Sequence, residues 1–219
     1  MKEKQPLFPP LLHAGLFTLS SLLGFIIISI LTGNDLLSGW DQQISGAMEN
    51  WHVQELLSLM RVFSYIGSMP NVFVILPVLF LICWMMTGTW GWWRFYLTVL
   101  LGSYLFNEIV RFVFLRPRPP LPDMEVVNRH GFPSNHAVGA FVLYSCLLLI
   151  LWPHVGTVRG RMWLVTACLV MVVVISFSRV FLHVHYPSDI LGGWLLGASW
   201  LGLCLTWQEI QRLRQARAH

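Results

Sequence analysis

Charge is what this 219-residue chain has least of: 11% of its residues are Asp, Glu, Lys or Arg, against about 25% in a soluble domain. So few ionic groups cannot cover a water-facing surface, which excludes an ordinary soluble fold. Cysteine is sparse too. Cys83, Cys146, Cys168 and Cys204 fall in four different apolar runs. They read as small hydrophobes rather than as a disulfide framework or metal cluster. Long basic runs and nucleic-acid reader motifs are missing, so the net charge of +4 points to membrane edges and not to nucleic acid. Internal repeats and low-complexity stretches are also missing. No A-x-A-like cleavage site follows the first apolar run, which reads as a mature span rather than a secretory leader.

What the chain has is apolar length. A helix crossing a bilayer needs roughly 20 apolar residues, and six runs qualify: Leu11–Thr32, Pro70–Thr87, Trp93–Phe114, His136–Trp152, Met162–Phe177 and Ile190–Trp207. The expected fold is all-α, an integral membrane bundle of six transmembrane helices forming one domain over residues 1–219. Between the first two runs, Trp40, Ile44, Met48 and Trp51 recur at helical spacing, followed by Leu56, Leu59, Met60 and Phe63. This predicts a helix lying in the membrane interface or capping the bundle. RPRPPLP, Arg116–Pro122, reads as a short stiff linker. Gly193 and Gly197 have the small-xxx-small spacing of close helix packing.

A cytoplasmic N-terminus puts Lys2, Lys4, Arg94, Arg159, Arg161, Arg212, Arg214 and Arg217 inside, eight of the fourteen basic residues. Asp35, Asp41, Glu49 and Glu55 then lie outside. The positive-inside rule favours this arrangement, with both termini cytoplasmic and the protein multi-pass in the plasma membrane.

Three polar clusters then share the extracytoplasmic side: Arg111–Pro119, Gly131–Ala137 and Ser178–Asp189. A single arginine at a span end is an interfacial anchor; three complementary clusters on one face make a site. Arg111, Arg118 and Arg179 offer forked cationic donors suited to phosphate. Ser134 adds a hydroxyl, and Asn135 and His136 open a helix whose first N–H groups are unpaired. His185 and Asp189 are four residues apart, on one face of a helical turn, so the carboxylate can fix the imidazole tautomer. Asp189 also reads as an N-terminal cap of the last helix. His136 lies on another helix, and its imidazole suits proton donation to a leaving group. His13, His52, His130, His154, His183 and His219 read as ordinary interfacial residues.

At these residues the sequence resembles the type 2 phosphatidic acid phosphatase superfamily. A basic residue, six residues and Arg-Pro appear as Arg111 and Arg118-Pro119. Pro-Ser-Gly-His appears as Pro133-Ser134-Asn135-His136. Ser-Arg, five residues, His, three residues, Asp appears as Ser178-Arg179, His185 and Asp189. Two positions depart: Arg111 replaces the usual Lys, and Asn135 replaces Gly. If the backbone at Asn135 needs a left-handed conformation, Asn tolerates it best after Gly. The resemblance implies a lipid phosphatase in which His185 forms a phosphohistidine, Asp189 orients it and His136 protonates the leaving group. It implies that Arg111, Arg118, Ser134, Asn135 and Arg179 hold the phosphoryl oxygens, with no metal or other cofactor. No acidic cluster for Mg²⁺ is evident; Asp123 and Glu125 read as loop solvation. The implied partners are a lipid phosphate substrate and the bilayer, and the oligomeric state is open. Undecaprenyl pyrophosphate, phosphatidylglycerophosphate, phosphatidate and diacylglycerol pyrophosphate are the candidate substrates. A phosphotransferase with the same residues, or a non-catalytic lipid or anion transporter, are the alternatives.

Overall fold

A computed structural model describes residues 10–49, 53–68, 71–72, 77–81, 84–85, 88, 91–119 and 130–217. Trp51, Cys83, Asp123, Glu125, Arg129 and half of the second candidate span, Pro70–Thr87, lie outside them. Among the described residues the regular structure is entirely helical. The helices are α1 (Leu11–Gly33), α2 (Ser38–Glu49), α3 (Gln54–Ile66), α4 (Gly91–Phe114), α5 (Asn135–Leu151), α6 (Val158–Phe181) and α7 (Pro187–Arg217), with a 3-10 turn at Trp152–His154. Five are long and apolar enough to cross a membrane: α1, α4 from Trp93, α5 continued to His154, α6 and α7. In hydrocarbon an unpaired backbone group costs several kcal/mol, and a helix pairs all of its own. Leu12, Leu16, Leu19, Leu23, Ile26 and Ile30 of α1 remain exposed at three- and four-residue steps. Such a stripe suits contact with acyl chains.

α7 is the axis of the bundle, and small residues decide what can approach it. A Cβ on Gly193 would lie 2.7 Å from the Cβ of Ala137 and 3.0 Å from the Ser134 carbonyl, so α5 seats its first turn directly on α7. Gly197 continues this contact against Phe141 and Val142. On another side Gly202 meets Thr18 of α1, and Thr18 and Thr206 share a hydroxyl hydrogen bond of 3.2 Å. Trp200 fills the space beside Gly102 of α4 and packs on Phe106 at 5.5 Å between ring centroids. Val99, Leu100, Val142, Leu143, Cys146 and Leu201 form the main apolar core between these helices. The glycine spacing read from the sequence is therefore used within the bundle.

The segment before the second candidate span differs from expectation. One helix was expected there, whereas α2 and α3 are separate, with Val53 extended before α3. Ile44 and Met48 of α2 turn inward against Ala137, Val180 and Ile190. α2 and α3 both reach the end of the bundle where α4 and α6 finish and α5 and α7 begin.

Gly193→Ala forces a methyl group into the α5–α7 contact and is expected to cost about 1–3 kcal/mol. Gly15→Ala, where nothing lies within 4 Å of the new Cβ, is expected to leave stability unchanged or slightly raised. Thermal unfolding of the two detergent-purified variants measures the difference.

Candidate active site

The site begins with the way α6 stops. His183 adopts a left-handed backbone (φ 54°). Its N–H bonds the Val180 carbonyl, while the Val184 N–H bonds Arg179. This pair of bonds is the Schellman ending of a helix. The His183 ring lies 3.1 Å by Nε2 from the Ser45 carbonyl of α2. The same turn ties the His185 N–H to the Arg179 carbonyl, so His185 enters α7 held against the last turn of α6.

Pro187 opens α7, with fixed φ and no N–H to satisfy. Asp189, two residues on, accepts the Tyr186 N–H through Oδ2 at 2.9 Å. It caps the helix, as one reading of the sequence proposed. The same oxygen lies 3.3 Å from Nδ1 of His185, so capping and orientation coexist. A carboxylate that receives donors on both oxygens can only accept, so Nδ1 carries the proton and Nε2 presents its lone pair. His185 is 2% exposed. Burial pushes its pKa down to about 4; the Asp189 bond and charge oppose this, and Arg179 and Arg118 add to it. The ring is therefore neutral at pH 7.

His136 comes from the first turn of α5, within electrostatic reach of His185, Arg179 and Arg118. The backbone of Ser64 on α3 lies close to the His136 ring. Arg179 bonds the Ser64 hydroxyl through Nη1, so one serine meets a histidine and an arginine from two other helices. Ser134 caps α5 by position, yet among the described residues its buried hydroxyl has no hydrogen-bond partner, and neither does Nε of Arg179. An orphaned buried donor costs about 1–3 kcal/mol; an oxyanion between such donors would recover it. His185 thus has Asp189, His136, Arg118 and Arg179 within electrostatic reach, and the Ser134 N–H bonds the Asp189 carbonyl at 3.1 Å.

Arg111 and Asn135 join the same end differently. Arg111 donates to Glu108 at 2.8 Å through Nη1, and to the His130 carbonyl through Nη2 at 2.6 Å and Nε at 3.2 Å. This uses the guanidinium fork, which a lysine does not have. Asn135 is the first residue of α5 and is not among the left-handed positions. Its side chain, not its backbone, is what matters: it donates to Glu108 at 2.6 Å and accepts from Asn107. The two departures from the family pattern therefore meet at one carboxylate, Glu108.

Sequence reasoning missed Arg116 and Asp41. Arg116 looked like linker and Asp41 like loop acid, but both are held inside. Arg116 donates to Asp189 Oδ1 at 2.5 Å and to Asp41 Oδ2 at 2.8 Å. Burial works against its charge, but Asp189 and Asp41 outweigh that and raise its pKa. No local spacing links residues 41, 116 and 189, and Arg116, between Leu115 and Pro117, carries no motif of its own. Among the described residues, no group of three His, Cys, Asp or Glu side chains could hold a metal ion.

Fold and site together define a class of protein: a helical bundle of membrane-spanning length with a histidine- and arginine-bearing centre at one end. A family model described as the PAP2 superfamily matches residues 92–213, and the chain belongs to that superfamily. Phosphatidylglycerophosphatase B of Bacillus subtilis (strain 168) is 25% identical over 198 residues, 90% of this chain and 97% of that protein. An undecaprenyl-diphosphatase of Sulfolobus acidocaldarius is 31% identical over 110 residues, 49% of this chain and 48% of its own. The crystal structure of a transmembrane PAP2-type phosphatidylglycerolphosphate phosphatase from Bacillus subtilis shares the fold, with a TM-score of 0.79 at 23% identity, covering 88% of this chain and 96% of that one.

Glu108→Gln keeps the shape of the side chain but leaves the Arg111 cation, 5% exposed, without its counter-charge. It is expected to lower stability by about 1–2 kcal/mol. Asn135→Gly, which leaves that ion pair in place, is expected to lose less. Chemical denaturation of the two variants side by side checks the order.

Proposed function

We propose that the chain is a membrane lipid phosphatase that hydrolyses the phosphomonoester or diphosphate of an amphiphilic lipid through a phosphohistidine at His185. The observation that carries this reading is the buried His185–Asp189 pair with His136, Arg118 and Arg179 within electrostatic reach. Nε2 of His185 attacks phosphorus, and the bond from phosphorus to the leaving oxygen breaks. His136 gives that oxygen its proton. Water, losing a proton to His136, then attacks the phosphohistidine, releases phosphate and restores both rings. Arg118, Arg179, Ser134 and the free N–H groups of the α5 first turn stabilise the charge on the phosphoryl oxygens. Arg111 and Asn135 shape the rim of this cup through Glu108. Guanidinium groups supply the positive charge, so the reaction needs no metal.

The substrate class follows from where the cup lies. Its charges sit at the helix ends while exposed apolar side chains line the helices below, so a phosphate can meet arginines while its hydrocarbon tail stays in lipid. Phosphatidylglycerophosphate and undecaprenyl pyrophosphate, the lipids in the names of the relatives, are the first candidates, followed by phosphatidate. Charges that gather at one end rather than along the middle of the spans disfavour a transporter. The distribution of basic residues favours an extracytoplasmic site in the plasma membrane with both termini cytoplasmic. α1 and α4 both finish at the catalytic end, so the chain between them returns once to the opposite face. That supports a sixth span at Pro70–Thr87, with α2 and α3 lying at the interface within one membrane-embedded domain.

Purified protein in detergent is expected to release inorganic phosphate from at least one of these three lipids, with EDTA present. His185→Ala is expected to lose at least about 1,000-fold in turnover while still binding lipid. Activity lost in EDTA and restored by Mg²⁺ would overturn the metal-free mechanism, and full turnover by His185→Ala would overturn the nucleophile. Since His185 is neutral down to about pH 4, protonation of this ring costs activity only in acid. The acid-side fall in kcat/KM is expected nearer pH 4 than the 6.5 of a free imidazole.

A further inference from the structure

We propose that Asp41 and Arg116 are positioning residues for the nucleophile: Arg116, clamped between Asp41 and Asp189, fixes the carboxylate that orients His185. The inference rests on the phosphatase reading above and adds two residues outside the three motifs.

The geometry is a closed set of bonds. Asp189 uses Oδ2 for His185 and the Tyr186 N–H. Its other oxygen, Oδ1, is held by Nη1 of Arg116 at 2.5 Å. Without that bond the carboxylate could turn about its Cβ–Cγ axis, and the 3.3 Å contact to Nδ1 of His185 is already long for a hydrogen bond. Arg116 is itself aimed from behind. Its Nη2 donates to Asp41 Oδ2 at 2.8 Å, and its Nη1 also reaches the Ser188 hydroxyl at 2.7 Å. Asp41 then grips the first turn of α7 directly, accepting the Ser188 N–H at 2.9 Å and its hydroxyl at 2.5 Å. The Tyr186 ring covers one face of the guanidinium, 4.8 Å from its centroid. The backbone carbonyl of Arg116 accepts the Gly131 N–H at 2.7 Å, so the arm carrying it is latched at both levels.

The charges explain why both residues are needed. Asp41 is 1% exposed and Asp189 0%. Two buried carboxylates this close repel, and burying one uncompensated charge costs several kcal/mol. A planar fork bridges them in a way that a compact ammonium does not. Both Nη atoms of Arg116 are already engaged with carboxylate oxygens, which separates its role from that of Arg179, whose Nε has no partner among the described residues. Arg116 acts on the reaction through Asp189, not by holding phosphate.

The test is a double-mutant cycle on the full chain in detergent, reading phosphate release from phosphatidylglycerophosphate, undecaprenyl pyrophosphate and phosphatidate. Arg116→Gln leaves two carboxylates without their cation and is expected to lower kcat by about 100-fold with KM within about 3-fold. Asp41→Asn alone is expected to lower kcat by about 10-fold. The discriminating variant is Asp41→Asn with Arg116→Gln, which removes one negative charge together with the cation. It is expected to recover at least about 3-fold in kcat over Arg116→Gln, a coupling that independent sites do not show. Arg116→Lys keeps the charge and is expected to fold and to retain more kcat than Arg116→Gln. Losses that simply multiply in the double variant, a loss confined to KM, or an Arg116→Gln enzyme within about 3-fold of wild type would each overturn the proposal. Wild-type protein that releases no phosphate from any of the three lipids would instead overturn the phosphatase reading, and the positioning role with it.

Discussion

One guanidinium holds three distant parts of this chain together. Arg116 follows α4, Asp41 comes from α2 and Asp189 from the first turn of α7, and none could be buried alone. In low dielectric an isolated carboxylate is expensive, and a pair is worse. Placing the cation between them turns two liabilities into a joint. Because Asp189 also meets His185, the joint lies directly behind the imidazole. α2 is thereby drawn to the membrane-facing bundle by ionic bonds as well as by Ile44 and Met48.

The other charges at this end divide by whether they are balanced. Arg111 is balanced by Glu108 and a carbonyl. Arg116 is balanced twice over. Among the described residues Arg179 bonds a neutral serine through Nη1, and Arg118 stands near enough to add its field to both histidines. Arg118 and Arg179 thus both bear on the imidazoles. An anionic group gains from such a field. Oriented dipoles at the start of α5 add to the same sign of potential.

Much of this was legible in the sequence, and the rest was hidden for a physical reason. Hydropathy and length give the spans, because a helix in lipid has to be continuous and apolar. Four-residue spacing puts His185 and Asp189 on one face, because local geometry is set by the chain itself. Asp41 and Arg116 carry no such signature. An acid in a polar loop and an arginine beside prolines look solvated until the bundle folds around them. The replacement of glycine by Asn135 is instructive in the same way. Backbone tolerance was the expected reason, but the residue is ordinary helix, and its amide is spent on Glu108 and Asn107. Side-chain pairing across helices has no period to read. The division of the interfacial segment into α2 and α3 also escaped the pattern, since apolar spacing continues across it.

The tight ending of α6 has a consequence for what the site can admit. Only residues 182–186 separate α6 from α7, and the N–H groups of Val184 and His185 are both fastened to the carbonyl of Arg179. There is no slack between that arginine and the reactive ring, so the two move as a single jaw. Any adjustment of the centre must then come from the opposing wall, formed by the start of α5 and the arm bearing Arg118. Any variation in the shape of this centre is therefore left to the wall that carries Asn135, while the jaw keeps a fixed spacing.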